Sequence, residues 1–260
     1  MKSRPLARLA LVAALACPLL AGAAAAESVD EILARNYETK GGLAKLQAVR
    51  SARMTGKMMM GQGLEAPFVL VWARPDKVRT EFTFQGMTGI QAYDGAVGWQ
   101  VMPFLGKTEP ETMGEEELKN VREMGEDALE GPLVGWREKG HTVELTGEEE
   151  VEGTPAWRLR VTKKNGDVST VWLDKESALE FKAEGKRTVR GQEMEFETAI
   201  GDYKEVGGLL LAHSIESRPK GAPQGQVILL ETIELDPEVP EATFSMPPPK
   251  PAAAAPAAGG

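Results

Sequence analysis

The first pattern along the chain is an amphipathic helix close to its start. Apolar side chains recur at helical spacing over residues 29–37, and Gly41 follows them as a stop signal. Ser28 and Glu31 stand where a capping box places its two members. The pattern therefore predicts one helix of about three turns, with a second short apolar piece over residues 43–49.

After Arg50 the period changes from helical to two, and this alternation persists for most of the chain. The run "VRTEFTF" at residues 78–84 alternates apolar and polar positions, which predicts a strand with one face in solvent. Turn signals such as "DG" at 94–95 and "NGD" at 165–167 separate the runs. About ten to twelve strands joined by short turns predict an antiparallel meander curled around one core.

One stretch, residues 109–140, breaks the strand rhythm. It has almost no β-branched residues, and its acidic residues are interleaved with apolar ones. This is typical of two or three short helices inserted between sheet halves, which must bury their apolar side against the sheet. We predict that they form a lid with hinge points at Gly114, Gly125 and Gly135. The predicted lid residues are Met113, Leu118, Val121, Met124, Leu129, Leu133 and Trp136.

The large apolar residues of the predicted strands are candidates for the lining of a concave surface. The hairpin stretch "QAYDGAVGWQVMPF" at 91–104 concentrates several of them without a catalytic-looking residue except Asp94. The predicted lining residues are Met58, Phe68, Leu70, Trp72, Phe82, Phe84, Trp99, Val101, Trp157, Leu159, Met194 and Phe196. The alternative is that they are ordinary core, since any sheet domain of this size needs aromatic packing.

Both ends of the chain differ in composition from the middle. Residues 1–26 have a basic start, a short apolar core and small residues before Glu27, which predicts a cleaved signal peptide. The alternative is lipidation of Cys17 after "ALAC", a weak match to a lipoprotein box. Cys17 is the single cysteine, so the folded part has no disulfide. The tail at 247–260, rich in Pro and Ala, is predicted to be disordered.

The order of these elements and several phrases resemble a known family. The phrases are "RNYETKGGLAKLQAVRSARMTGKM", "WARPDKVRTEF", "AYDGAVGWQVMPF" and "GDYKEVGGLLLAHSIE". They resemble the LolA/LolB-like periplasmic lipoprotein carriers, in the branch called outer-membrane lipoprotein-sorting proteins. The resemblance implies an α+β fold over residues 27–246, namely an incomplete antiparallel β-barrel with an N-terminal helix and a helical lid.

The resemblance also implies a function in the periplasm. The expected ligands are acyl chains of lipoproteins or lipids, carried in an apolar half-barrel cavity towards the outer membrane, with inner- or outer-membrane sorting proteins as further partners. A net charge of −9 makes nucleic acid an unsuitable partner. We expect a monomer with no cofactor, no metal and no transmembrane segment after the signal.

Two other function classes remain open at this point. An enzyme is disfavoured because the chain lacks a G-x-S-x-G elbow, a P-loop, a dinucleotide fingerprint and an H-E-x-x-H helix. Asp94 sits in an Asp-Gly pair and is better explained as a turn residue than as a catalytic one. A protein-binding or scaffolding module of the cell envelope could use the same open barrel without lipid.

Overall fold

The computed structural model describes residues 27–60, 63–189 and 191–248, and it consists there mostly of strands. The predicted signal peptide, with Cys17, lies outside the described residues, as does most of the predicted tail. The helices are α1 (Val29–Thr39), α2 (Leu43–Ala48) and α3 (Glu115–Asp127). No helix in these ranges is long and apolar enough to cross a membrane.

Thirteen strands lie in the described part of the chain. They are β1 (Ser51–Met60), β2 (Leu64–Ala73), β3 (Lys77–Phe84), β4 (Met87–Tyr93), β5 (Gly98–Met102), β6 (Lys107–Thr112), β7 (Thr142–Val151), β8 (Thr154–Thr162), β9 (Val168–Asp174), β10 (Glu180–Val189), β11 (Gln192–Val206), β12 (Leu209–Pro219) and β13 (Gln226–Leu235). Short 3-10 helices cover Pro103–Leu105 and Glu241–Thr243.

All thirteen strands form one sheet in the order β6-β5-β4-β3-β2-β1-β13-β12-β11-β10-β9-β8-β7. Every neighbouring pair is antiparallel, from the β1–β13 pair at the centre to β5–β6 and β7–β8 at the edges. The chain therefore makes two meanders that the β1–β13 pair joins. This confirms the predicted antiparallel meander and its open form, with one strand more than the upper estimate.

Helix α1 begins as the sequence predicts. The Ser28 hydroxyl accepts a hydrogen bond from the Glu31 N–H at 3.3 Å, and the Glu31 carboxylate accepts one from the Ser28 N–H at 2.8 Å. Ile32 and Leu33 are fully buried in a core that includes Trp157 and its neighbours on β7, β8 and β9. Helix α1 thus covers one arm of the sheet.

The insertion at 109–140 is helical at its centre, as predicted, but it contains one α-helix instead of two or three. Strand β6 occupies its start, and irregular turns follow α3 over residues 128–140. Gly131, Gly135 and Gly140 adopt positive φ there, and Pro132 lacks the N–H that a continuing helix needs. Apolar spacing alone does not reveal these interruptions.

The sheet curves around the helices. Helix α3 packs against β3, β4 and β5 on one side. On its other side, Lys119 reaches Asp167 in the β8–β9 turn at 2.8 Å. Because one helix meets both arms of the same sheet, the face beneath it must be concave. We call this the concave face, and the opposite one the convex face.

Candidate functional site

Strand register brings apolar side chains from distant parts of the chain into one row on the concave face. Met58 of β1 pairs with Ile228 of β13, Ile228 with Ile215 of β12, and Ile215 with Ile200 of β11. Phe82 of β3 pairs with Phe68 of β2 in the neighbouring row. The two meanders therefore share a continuous apolar surface across the β1–β13 pair.

Part of this surface is buried beneath the helices, and part remains half-buried. Phe68, Leu70 and Trp72 are buried in the core that α2 and α3 cover, whereas Trp157 and Leu159 are buried beneath α1. We call the half-buried remainder the open apolar face. It comprises Met58, Phe82, Phe84, Phe104, Met194, Phe196, Ile200, Ile215 and Ile228.

Trp99 and Val101, although predicted to line the cavity, lie on the convex face. Trp99 pairs with Ala92 across the β4–β5 hairpin, so it shares a face with Arg79 and not with the concave-face residues. It is fully buried, and its indole Nε1 donates to the Phe244 carbonyl at 2.7 Å. The segment after β13 thus covers Trp99 on the convex side of the sheet. Neither Trp99 nor Val101 belongs to the open apolar face.

Phe104 joins the open apolar face because β4 carries a glycine at the contact point. A Cβ on Gly89 would lie within 2.9 Å of both the Phe104 and the Phe82 rings. The Phe104 ring centroid is 5.5 Å from that of Phe82 and 6.4 Å from that of Phe84. The turn at Pro103–Leu105 therefore folds an aromatic ring back onto the concave face.

The predicted lid residues pack into two apolar cores on the concave face. Val121 is buried, and Met113 and Leu118 pack against the core beneath α3. Leu129 belongs to that same core, whereas Leu133 and Trp136 pack into the core beneath α1. Met124 is partly exposed, and its sulfur accepts a hydrogen bond from Thr80 at 3.3 Å.

One side of α3 is held by close backbone packing. The Trp72 indole Nε1 donates to the Gly125 carbonyl at 2.7 Å. A Cβ on Gly125 would lie 2.2 Å from the Asp76 carbonyl oxygen, so only glycine allows the helix to approach this closely. Gly125 is therefore a contact point of the cover with the sheet and does not act as the hinge we expected from the sequence.

The other side of α3 is held by polar contacts near the strand turns. Asp127 pairs with Lys163 at 2.7 Å, and Glu123 accepts a hydrogen bond from Asn165 at 3.1 Å. Burial lowers the pKa of Lys163, but attraction to Asp127 outweighs it and the pKa is raised. The Gly191 N–H in the β10–β11 turn donates to Glu116 at 3.1 Å. The Asp127–Lys163 pair is largely sheltered, its side chains being 23% and 14% exposed. The Glu123 and Glu116 contacts are exposed, and contacts of that type exchange with water at small cost.

The concave face is occupied by the chain's own helices in this structure. Two open surface pockets, of about 310 and 470 Å³, lie near Gly208 in the β11–β12 turn and near Gly153 in the β7–β8 turn. Neither is lined by a predicted cavity residue. A ligand chain on the concave face would therefore have to share it with α3 or displace α3.

The acidic residue of the 91–104 hairpin has a structural role. The Asp94 carboxylate accepts hydrogen bonds from the N–H groups of Ala96 and Val97 at 2.8 and 2.7 Å. This shapes the β4–β5 turn, as the Asp-Gly pair predicts. Within the described ranges, no group of three or more His, Cys, Asp or Glu side chains could hold a metal ion.

Sequence reasoning did not select Ile215, Ile228 or Arg187 as site residues. Ile228 lies in "QVILLETIEL", where apolar residues occupy both parities and give no clean alternation. Arg187 follows Gly185 in a strand of mixed character. Only the pairing of β10 with β11, of β13 with β1 and of β12 with β13 places these residues in one surface with Phe196 and Met58.

Comparisons with known proteins identify the fold. No protein-family model matches the chain, and no curated protein sequence matches it. Among solved structures, a LolA superfamily protein from Nitrosomonas europaea superposes with a TM-score of 0.56 at 12% identity, covering 85% of this chain and 98% of that one. A domain from Vibrio parahaemolyticus, described as an outer membrane lipoprotein-sorting protein domain, gives 0.54 at 15% identity, with 82% and 94% covered.

A DUF1329 family protein from Desulfovibrio piger is similar to the same extent. It superposes with a TM-score of 0.53 at 14% identity, covering 81% of this chain and 95% of that one. These likenesses span nearly the whole of each solved chain, so they concern the complete sheet and its helices. The chain has a LolA-like fold, as the sequence resemblance predicts.

Proposed function

We propose that this chain, which has a LolA-like fold, binds acyl chains of lipoproteins or lipids on its open apolar face and carries them through the periplasm towards the outer membrane. The observation that carries the proposal is the row from Met58 through Ile228 and Ile215 to Ile200, which stays half-buried on the concave face. Exposed apolar surface that is contiguous and concave is typical of a binding site.

The free energy gained by burying hydrocarbon is large enough to bind an acyl chain. Burial of a hydrocarbon chain contributes about 0.8 kcal/mol per methylene group, so even a partly sheltered chain gains several kcal/mol. The open apolar face supplies aromatic rings and unbranched methionine side chains, which adapt to a flexible ligand. No charged side chain of Asp or Glu interrupts the row of isoleucines described above.

Access to the buried part of the face requires α3 to move. Its exposed polar contacts to Asn165 and Gly191 exchange readily with water, whereas Trp72 and Gly125 hold its other side firmly. We infer that α3 opens by releasing the polar side. The N-cap Gly114 and the irregular turns after Ala128 provide the freedom at its two ends.

A substitution on the open apolar face tests this proposal. Phe84→Asp is expected to weaken binding of a fluorescent long-chain acyl probe by at least about tenfold, because it places a charge where the chain would lie. The matched control is Thr83→Asp, the adjacent convex-face position, whose hydroxyl forms a hydrogen bond with the Thr88 hydroxyl at 2.9 Å. Fluorescence titration of the purified chain measures both affinities.

The control should bind the probe as the unmodified chain does. Equal affinities for all three proteins would show that the probe binds elsewhere. Native mass spectrometry adds a second measurement, since lipid or acylated peptide that co-purifies with the chain supports a carrier. If neither the unmodified chain nor its variants bind any acyl probe, the alternative of a protein-binding envelope module takes precedence.

A further inference from the structure

Arg187 is placed on the concave face by the β10–β11 register. It pairs with Met194, while Gly185, two positions earlier, pairs with Phe196. Ala183 has the same parity and packs into the core beneath α1, which fixes the face to which all three point. Arg187 thus adjoins the Met194 and Phe196 end of the open apolar face.

The contacts of Arg187 differ from those of the other cations on this arm. Its guanidinium carbon lies 5.3 Å from the centroid of the Phe196 ring. It has no hydrogen bond or ion pair to any residue within the described ranges. By contrast, the other described cations of β10, β11 and β12 each lie within 4 Å of a carboxylate: Lys182, Lys186, Lys204 and Arg218.

The carboxylate that attracts the Arg187 guanidinium already has other partners. Glu123 on α3 attracts Arg187 from beyond ion-pair distance. It accepts a hydrogen bond from Asn165 at 3.1 Å and lies 3.8 Å from the Lys119 ammonium. The five N–H donors of the Arg187 guanidinium are therefore available to an incoming acceptor.

A cation with free donors beside hydrocarbon matches one chemical class of ligand. A guanidinium presents a planar fork that binds a carboxylate or a phosphate through two parallel hydrogen bonds. The adjoining Phe196 and Met194 side chains suit the hydrocarbon that follows such a group. Because the chain carries a net charge of −9, an anion is favoured only where a local cation meets it.

We propose that Arg187 forms an anion subsite at the end of the open apolar face, so that the preferred ligand is an acidic amphiphile with a carboxylate or phosphate group. This inference rests on the proposed function and adds the charge of the ligand to it. The hydrocarbon lies along the open apolar face, and the acidic group pairs with the guanidinium.

The test compares ligands that differ only in charge. We expect the purified chain to bind a pyrene-labelled long-chain fatty acid about tenfold more tightly than the corresponding alcohol at low salt, with the preference shrinking as salt is added. Arg187→Gln should remove the preference, so that this variant binds the acid and the alcohol with similar affinity. The matched control is Lys186→Gln, which removes the neighbouring cation on the convex face. This variant should keep the preference for the acid.

The outcomes separate the two proposals. Equal binding of acid and alcohol by the unmodified chain overturns the anion subsite but leaves the carrier proposal intact. Failure to bind either compound overturns the carrier proposal itself. Stronger competition with the probe by lysophosphatidic acid than by an unlabelled fatty acid of the same chain length assigns the subsite to a phosphate headgroup, and the reverse assigns it to a carboxylate. A preference that survives in Arg187→Gln shows that another cation binds the acid.

Discussion

Glu180→Gln is expected to destabilise the protein by about 3–5 kcal/mol, because it leaves a buried ammonium without its counter-charge. Glu180 lies on β10, and its Oε1 is 3.1 Å from the Lys40 Nζ at the end of α1. The two side chains are only 9% and 7% exposed. Urea denaturation of the variant and the unmodified chain measures the difference in unfolding free energy.

Further hydrogen bonds to the same carboxylate support this magnitude. The Asn36 side-chain amide donates to Glu180 Oε2 at 3.2 Å, and the Tyr203 hydroxyl approaches the same oxygen at 3.3 Å. Burial raises the pKa of Glu180, but the attraction of Lys40 and the hydrogen bonds from Lys40, Asn36 and the backbone outweigh it and hold the pKa below its ordinary value of 4.5. The pair thus fixes α1 to β10.

The lowered pKa gives the effect a definite pH dependence. A carboxyl group whose folded pKa is depressed stabilises the protein above its unfolded pKa, and this contribution is lost as the pH falls through the folded value. The difference in unfolding free energy between the unmodified chain and Glu180→Gln should therefore be largest near neutral pH and shrink below about pH 4.5.

Two controls make the result specific to the buried pair. The double variant Lys40→Met with Glu180→Leu should be less destabilised than Glu180→Gln, because no charge remains buried. Lys204→Gln, which breaks an exposed pair with Asp202, should change stability by less than about 1 kcal/mol. A double variant that is less stable than the single one would contradict this account of the pair.

Gly125→Ala is expected to destabilise the protein by about 1–3 kcal/mol, because the new methyl group overpacks the contact between α3 and the sheet. The added Cβ would lie 2.2 Å from the Asp76 carbonyl oxygen and 3.2 Å from a Val78 methyl. Since the closer atom is backbone, the helix must move away, which also strains the Trp72–Gly125 hydrogen bond. Urea denaturation measures this loss.

Helix propensity alone predicts that Gly125→Ala stabilises the protein. The sign of the change in unfolding free energy therefore discriminates between propensity and overpacking. Alanine in a helix interior is favoured over glycine by about 1 kcal/mol, and a stabilised Gly125→Ala would show that the contact is looser than described. The matched control is Asn120→Ala at an exposed position of α3, which should be neutral or slightly stabilising.

The same variant reports on the role of α3 as a cover. If α3 must leave the concave face before an acyl chain binds, weakening its contact raises the fraction of open molecules and hence the apparent affinity for the acyl probe. We expect Gly125→Ala to bind the probe several-fold more tightly than Asn120→Ala does. Unchanged affinity together with lowered stability would show that the ligand does not compete with α3.

The positions that sequence could not place are those where a turn sets the register. Trp99 alternates correctly with its neighbours on β5, yet its face depends on how the turn at residues 94–97 joins β5 to β4. A change of one residue in that turn would move every side chain of β5 to the other face. For the same reason, the sequence did not reveal which face of the sheet Ile228 and its apolar neighbours occupy.

The sequence by itself determined the local elements of this protein: the capped helix α1, the antiparallel strands with their turns, and the presence of a helical insertion between them. These follow from periodicity and turn chemistry within a few residues. The tertiary structure alone decided which side chains share the concave face, that Gly125 is a tight contact, and that Arg187 lies over Phe196 without an ion-pair partner in the described part of the chain. The physical reason is that each depends on pairing between segments far apart in the chain, which no local pattern encodes.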